Sequence, residues 1–251
     1  MSLLRFKSSF LKPAPPAERT HHVAGRAVPL KVVENARARR LTLRIVPGGN
    51  GLRVTTPPGI SFPEVERFLA RHQGWLEDKY RKLPLDALVR PDIKLPLRGT
   101  PHRIIHETGR RGTVTVTTRD GEPVLIVHGE ADHLPRRLAD FLKREAKHDI
   151  EILVARHTAT VGRRAKSIRY RDTTSRWGSC TSDGVLSFSW RIMMAPSPVI
   201  DYLVAHEVAH LKEMNHGPRF WKLCSELCPD TPRCRDWLKR NGSALQALRF
   251  T

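Results

Sequence analysis

The sequence predicts an α+β protein, with short strands in its first half and helices in its second. Three observations predict it. Between residues 23 and 128, runs rich in β-branched residues alternate with turns containing Gly, Asp and Asn. From Pro135 onward, apolar residues recur at helical spacing. The change of period falls at Asp132 to Pro135, beside a turn-rich stretch that marks a domain boundary. A basic flexible tail is therefore expected over residues 1–22 and a β-rich domain with one helix over 23–134. A domain of helices around a small sheet is expected over 135–251.

In chain order, residues 23 to 34 read as extended. Leu41 to Val46 and Leu52 to Thr56 read as strands around Pro47-Gly48-Gly49-Asn50-Gly51, a strong hairpin signal. Ser61 caps a helix from about Pro63 to Arg81, with Val65, Phe68, Leu69, Leu76 and Tyr80 as its apolar members. His102 to Glu107, Thr113 to Thr118 and Val124 to His128 are further strands, the last two joined at Asp120-Gly121. No internal repeat emerges. Pro135 to Thr160 reads as one long helix and is followed by strands at Ile168 to Arg171 and Val185 to Trp190, which flank a loop at Trp177. Helices starting near Pro198, Pro218 and Pro232 complete the chain.

The chemistry concentrates in His206-Glu207-Val208-Ala209-His210 and His216. Three imidazoles and one carboxylate are the set a hydrolytic zinc site needs. Residues i and i+4 share a helix face, so His206 and His210 can hold one ion together. Glu207 stands where its carboxylate can reach a water in the open position of that ion. Chance would put H-E-x-x-H in about three chains of this composition in a hundred, and the later histidine lowers that to roughly one or two in a thousand. The apolar run Val199 to Ala205 buries the helix, and a buried histidine pair needs a partner such as a metal. Leu211-Lys212-Glu213 can continue the helix and Asn215 can end it in a left-handed conformation. Gly217-Pro218 then opens a new helix after a sharp turn. One Zn²⁺ per chain is expected, although imidazole also suits Mn²⁺ and Ni²⁺.

These residues belong to a wider pattern. It includes Arg176-Trp177-Gly178-Ser179-Cys180, Ser189-Trp190-Arg191, Asp201 through Glu207, Asn215-His216, Phe220-Trp221, Pro229 and Trp237-Leu238-Lys239. Upstream it includes Arg39 through Arg44, Phe68-Leu69 and Trp75-Leu76. In this pattern the sequence resembles the YgjP-like metal-dependent hydrolases, relatives of the SprT and WLM zinc-peptidase domains. The resemblance implies that His206, His210 and His216 are ligands and Glu207 the catalytic base. It also implies that residues 135–251 form a minimal zincin-like domain with an active-site HExxH helix. The histidine spacing equals that of the metzincins too, but Glu213 replaces their turn glycine, which argues against that family.

Arg176, Ser179 and Tyr202 are candidate oxyanion or substrate contacts, by position alone. Asp201 either supports the site or simply belongs to the helix start. A strand around 185 to 190 at the edge of the cleft would let an extended peptide bind by adding a strand. Three functions compete: a zinc metalloendopeptidase, a nucleoside triphosphate pyrophosphohydrolase, and a nucleic-acid-binding protein with a vestigial metal site. Glu207 argues against the third, because a structural site needs no such carboxylate. The net charge of +19 draws polyanions, so nucleic acid or nucleotide joins peptide or protein as an expected partner. No apolar run nears the roughly eighteen residues of a membrane span, and the start lacks the apolar core of a secretory signal. A cytoplasmic protein with no membrane partner is expected, its four cysteines reduced and ordinary buried thiols, with Cys180 set apart because it follows the Arg176-Trp177-Gly178-Ser179 segment expected near the metal. The oligomeric state is left open.

Overall fold

The structure, a computed structural model, describes residues 19–83, 87–109, 112–173 and 176–250. It is an α+β fold, with three sheets and six α-helices among the described residues. Most of the expected tail, together with Arg110 and Arg111, lies outside them, while residues 19–22 run in a strand. The chain divides into two compact units. One takes the residues up to Val46 with Gly51–Glu77, and the other takes Pro47–Asn50 with the chain from Asp78 onward.

In the first unit, β1 (Arg19–Val23), β2 (Arg26–Glu34), β3 (Thr42–Ile45) and β4 (Leu52–Thr56) form a sheet in the order β1-β2-β4-β3. The β3–β4 hairpin is the one its glycines predict. Strands β2 and β4 pair in parallel. Alternation along β4 buries Leu52, Val54 and Thr56 and turns Arg53 outward. Helix α1 (Phe62–Arg71) starts at a capping box, the Glu64 carboxylate accepting from the Ser61 amide at 2.9 Å and its hydroxyl at 2.7 Å. The single helix expected to Arg81 is two, for α2 (Gln73–Tyr80) follows a break at His72. The His72 imidazole donates from Nδ1 to the Phe68 carbonyl at 2.8 Å, while its backbone amide takes the nearer Leu69 carbonyl. A side chain competing for the helix's own acceptors is enough to interrupt the ladder.

The second unit opens with β5 (Lys94–Leu97), β6 (Thr100–Glu107), β7 (Thr115–Arg119) and β8 (Glu122–His128), in the order β5-β6-β8-β7. Strand β5 is an addition to the expected set. This sheet repeats the plan of the first: an antiparallel hairpin, a parallel central pair, and a second antiparallel hairpin. The first hairpins turn through Ala24-Gly25 and Arg98-Gly99, all four residues at positive φ. Each sheet is followed by a helix with proline in its first turn, at Pro63 and Pro135. The repeat escapes sequence inspection because strand order depends on turns and on buried faces, which many side chains can supply.

Helix α3 (Leu134–Val161) buries Leu138, Phe141, Leu142, Ala146, Ile150 and Val154 along one stripe and ends at Gly162, φ 70°. That stripe shares one core with Leu95, Ile104, Leu125 and Val127 of the second sheet. The core thus runs across residues 134/135, and the compact units part at 77/78. Arg98 adds a polar tie, donating to Asp149 at 2.7 and 2.8 Å and to Glu145 at 2.8 Å on α3. A third sheet contains β9 (Ser167–Arg171), β10 (Gly178–Cys180) and β11 (Val185–Ser189) in the order β10-β11-β9. After a short 3-10 turn come α4 (Ser197–Ala209), α5 (Pro218–Leu227) and α6 (Thr231–Ala247).

Candidate metal centre

Helix α4 is apolar almost all round, with Val199, Ile200, Leu203, Val204, Ala205, Val208 and Ala209 buried. Such a helix sits inside its domain and is positioned by contacts on several sides. At its start, the β5–β6 turn presses on Pro196, where a Cβ on Gly99 would lie 2.9 Å from the Pro196 Cα. Only glycine fits there, at φ 82°. One turn on, Asp201 accepts from the buried His157 of α3 at 2.7 Å and from Arg156. Asp201 thus ties α4 to α3 and hydrogen-bonds none of the three histidines.

The helix ends at Ala209 with His210 as its cap, short of the expected continuation through Glu213. Asn215 is not left-handed. The reason lies in His210 itself, whose Nδ1 donates to the Glu213 carbonyl at 3.0 Å and so holds the chain in a tight turn. A carbonyl can only accept, so this bond fixes the proton on Nδ1 and leaves the Nε2 lone pair free. Gly217 then caps α5, and His216 is brought back to the other two.

One nitrogen from each of His206, His210 and His216 lies within 4.8 Å of the others. The Nε2 atoms of His206 and His216 face each other at 3.1 Å. Tetrahedral zinc with bonds of about 2.0–2.1 Å separates its ligand nitrogens by about 3.3 Å, so the spacing fits an ion. Phe220, wholly buried on α5, touches all three rings, at 4.9, 4.4 and 4.7 Å between centroids. Trp221 stacks on His216 at 5.6 Å and meets His206 at 5.8 Å. His206 Nδ1 is buried without a hydrogen-bond partner among the described residues, while its Nε2 faces His216. Burial first, then the neighbouring His210, His216 and Arg235, push the His206 pKa down to about 4. Burial also lowers His210. Both rings are neutral near pH 7 and can donate lone pairs to a cation.

Glu207 is 4% exposed, and burial raises its pKa to about 8 against the lowering charge of Arg176. Its side chain lies against the backbone of β10. A Cβ on Gly178 would come within 2.7 Å of the Glu207 Cγ and Cδ. Cys180, two residues along, is also within electrostatic reach of Glu207. Alternation along the strand therefore turns the Ser179 side chain to the opposite face. Burial, then Glu207 and Asp183, push the Cys180 thiol up to about 11, and the side chains that converge on one point are His206, His210 and His216. Tyr202 packs edge-on to His206 at 5.8 Å between centroids, its pKa pushed up to about 12 chiefly by burial. The strand β11, expected at an edge, is central, and β10 is the edge strand beside Glu207.

Sequence reading singled out the imidazoles, Glu207, Arg176, Ser179 and Tyr202. It missed Gly178, Phe220, Trp221 and Arg235 as parts of the site. The available signal was the aromatic pair Phe220-Trp221, which begins four residues after the third histidine. A model of the family described as YgjP-like, metallopeptidase domain, matches residues 39–241. No curated protein and no solved structure matches the chain.

Proposed function

Because the chain belongs to the family of YgjP-like metallopeptidase domains, which makes it a metal-dependent hydrolase, we propose that it is a zinc-dependent endopeptidase. The observation that carries this reading is three imidazoles converging on one point with a buried carboxylate one residue from the first. His206, His210 and His216 would hold one Zn²⁺, which supplies Lewis acidity to the scissile carbonyl and makes water more acidic. Glu207 takes the proton of the attacking water and returns it to the leaving amine. Its raised pKa suits both halves of that transfer near neutral pH. The Gly178 backbone confines the carboxylate, and Phe220 holds the imidazoles from below. Tyr202, protonated at working pH, and Arg176 are the groups assigned to the developing oxyanion or the substrate backbone. An extended peptide would pair with β10, and the helix, long neighbour and small sheet support a zincin-like reading of the domain.

The reading places the enzyme in the cytoplasm, where its four free thiols persist. No described helix is long and apolar enough to cross a membrane. The charge of +19 supports a second reading, phosphoanhydride hydrolysis of a nucleoside triphosphate at the same centre. Zinc-loaded protein and its Glu207→Ala variant, incubated with an unstructured protein, single-stranded DNA and nucleoside triphosphates, separate the two. New peptides made only by the parent, seen by mass spectrometry, are the expected result. Nucleoside monophosphate and pyrophosphate instead would move the assignment to the second reading. Turnover that rises with added DNA, and loses that rise at high salt, would link the basic surface to the chemistry.

A further inference from the structure

We propose that the cavity between α4, α6 and the loop ahead of β10 is a substrate subsite that takes a carboxylate next to the hydrolysed bond. The inference rests on the peptidase reading above. The cavity measures about 340 Å³ and is lined by Trp177, Tyr202, Arg235, Lys239 and Gly242 among others. Its size suits one amino-acid side chain or a terminal residue.

The cavity adjoins the metal centre through two of its own walls. Tyr202 forms one wall and packs edge-on to His206. Arg235 forms another, its guanidinium 4.5 Å from the centre of the Trp221 ring that stacks on His216. Arg235 and Lys239, four residues apart on α6, present two cations to the same space. Among the described residues neither has an ion-pair partner, although the same fold pairs Arg98, Arg103, Lys166 and Arg191 with carboxylates. Two unpaired cations in one cavity favour an anion, and the planar guanidinium fork fits a carboxylate through two parallel hydrogen bonds. Stacking on Trp221 holds the fork in place before any ligand arrives.

The remaining wall is built by a close approach. The Trp177 indole lies on α6 at Gly242, where a Cβ would stand 2.9 Å from its Nε1 and 3.2 Å from Cζ2. Any larger residue at 242 would drive the indole into the cavity. The subsite therefore pairs an apolar face, which takes the stem of a side chain, with a cationic end. A glutamate or aspartate side chain and a C-terminal carboxylate offer that same chemistry.

The test is a peptide series carrying Glu, Gln or Leu beside the cleaved bond, each as free acid and as C-terminal amide, with zinc-loaded full-length protein. The expected parent preference in kcat/KM for the carboxylate-bearing member is about tenfold or more. That ratio should collapse in Arg235→Gln and fall in Lys239→Gln. Preference for Glu in acids and amides alike identifies a side-chain subsite, while preference for free acids regardless of the residue identifies a terminal one. Equal cleavage of all members by the parent overturns the inference and leaves the peptidase reading standing. If the parent cleaves no peptide, the peptidase reading fails and binding decides. N-acetylglutamate, but not N-acetylglutamine, should then shift the Trp177 indole N–H resonance in the parent and not in Arg235→Gln. Absence of that shift would overturn the subsite as well.

Discussion

Glu207 shows how a single position is prepared by its neighbours. Its carboxylate is buried, takes no hydrogen bond among the described residues, and lies against a strand backbone that has no side chain at Gly178. Replacing Glu207 with Gln should lower turnover by about 10²–10⁴-fold, the usual share of a general base. Metal analysis of the same preparation should still find zinc bound, because the ligands are imidazoles. Zinc lost along with activity would instead make Glu207 part of the metal's support. Gly178→Ala puts a methyl where the Glu207 side chain now sits. Displacing the carboxylate by about an ångström should cost about 10²-fold in kcat, with zinc again retained. Unchanged kcat in that variant would mean that Glu207 has room the packing does not show. None of this is visible at residue 178 in the sequence, where a glycine in a loop is unremarkable. Contact with Glu207, 29 residues further along the chain, gives it meaning.

Helix α4 is the element on which the site depends, and its supports lie in other elements. Asp201 bonds to His157 and Arg156 of α3. Burial works to raise the Asp201 pKa, but the His157 hydrogen bond and the charges of His157 and Arg156 outweigh it and hold it low. A carboxylate with a depressed folded-state pKa adds stability above its unfolded value of about 3.9 and loses it as pH falls through the folded value. The Tm difference between parent and Asp201→Asn should therefore be full near pH 6–7 and close below about pH 4. A difference that persists unchanged into acid would assign the role of Asp201 to packing. Arg98 supports the same core from the second sheet, through a forked pair with Asp149 and a bond to Glu145 that raise its pKa. It is about one-third exposed, so Arg98→Ala should cost only about 1–3 kcal/mol, read from denaturant midpoints. Element types were largely legible in the sequence, since α3 carries an unbroken apolar stripe and Ser61 marks a helix start. Breaks were not. The stops at His72 and Ala209 both come from imidazoles that bond to nearby carbonyls, a competition that periodicity does not register.

At the scale of the molecule, the metal should contribute to stability as well as to chemistry. Three imidazoles, His210 buried and His206 half-buried, gather round one point, and an ion bound there favours the folded chain. Chelation should lower Tm and added Zn²⁺ should restore it, the stabilisation reaching about 4 kcal/mol where free Zn²⁺ stands a thousandfold above Kd. A Tm indifferent to chelator and zinc would sink the metal assignment. The sequence by itself determined the α+β class, the spacing of the three histidines with their adjacent carboxylate, and the alternation that sets most strands. Each of these is a local regularity: a spacing, a cap or a period. Only the tertiary structure decided that the second sheet shares its core with α3 and repeats the plan of the first. It alone brought Gly178 to Glu207 and placed Phe220 beneath the imidazoles. Among the described residues it also left Arg235 and Lys239, which line one cavity, without counter-ions. The physical reason is common to all four, since packing joins residues distant in the chain, and one sequence carries no record of which apolar faces meet.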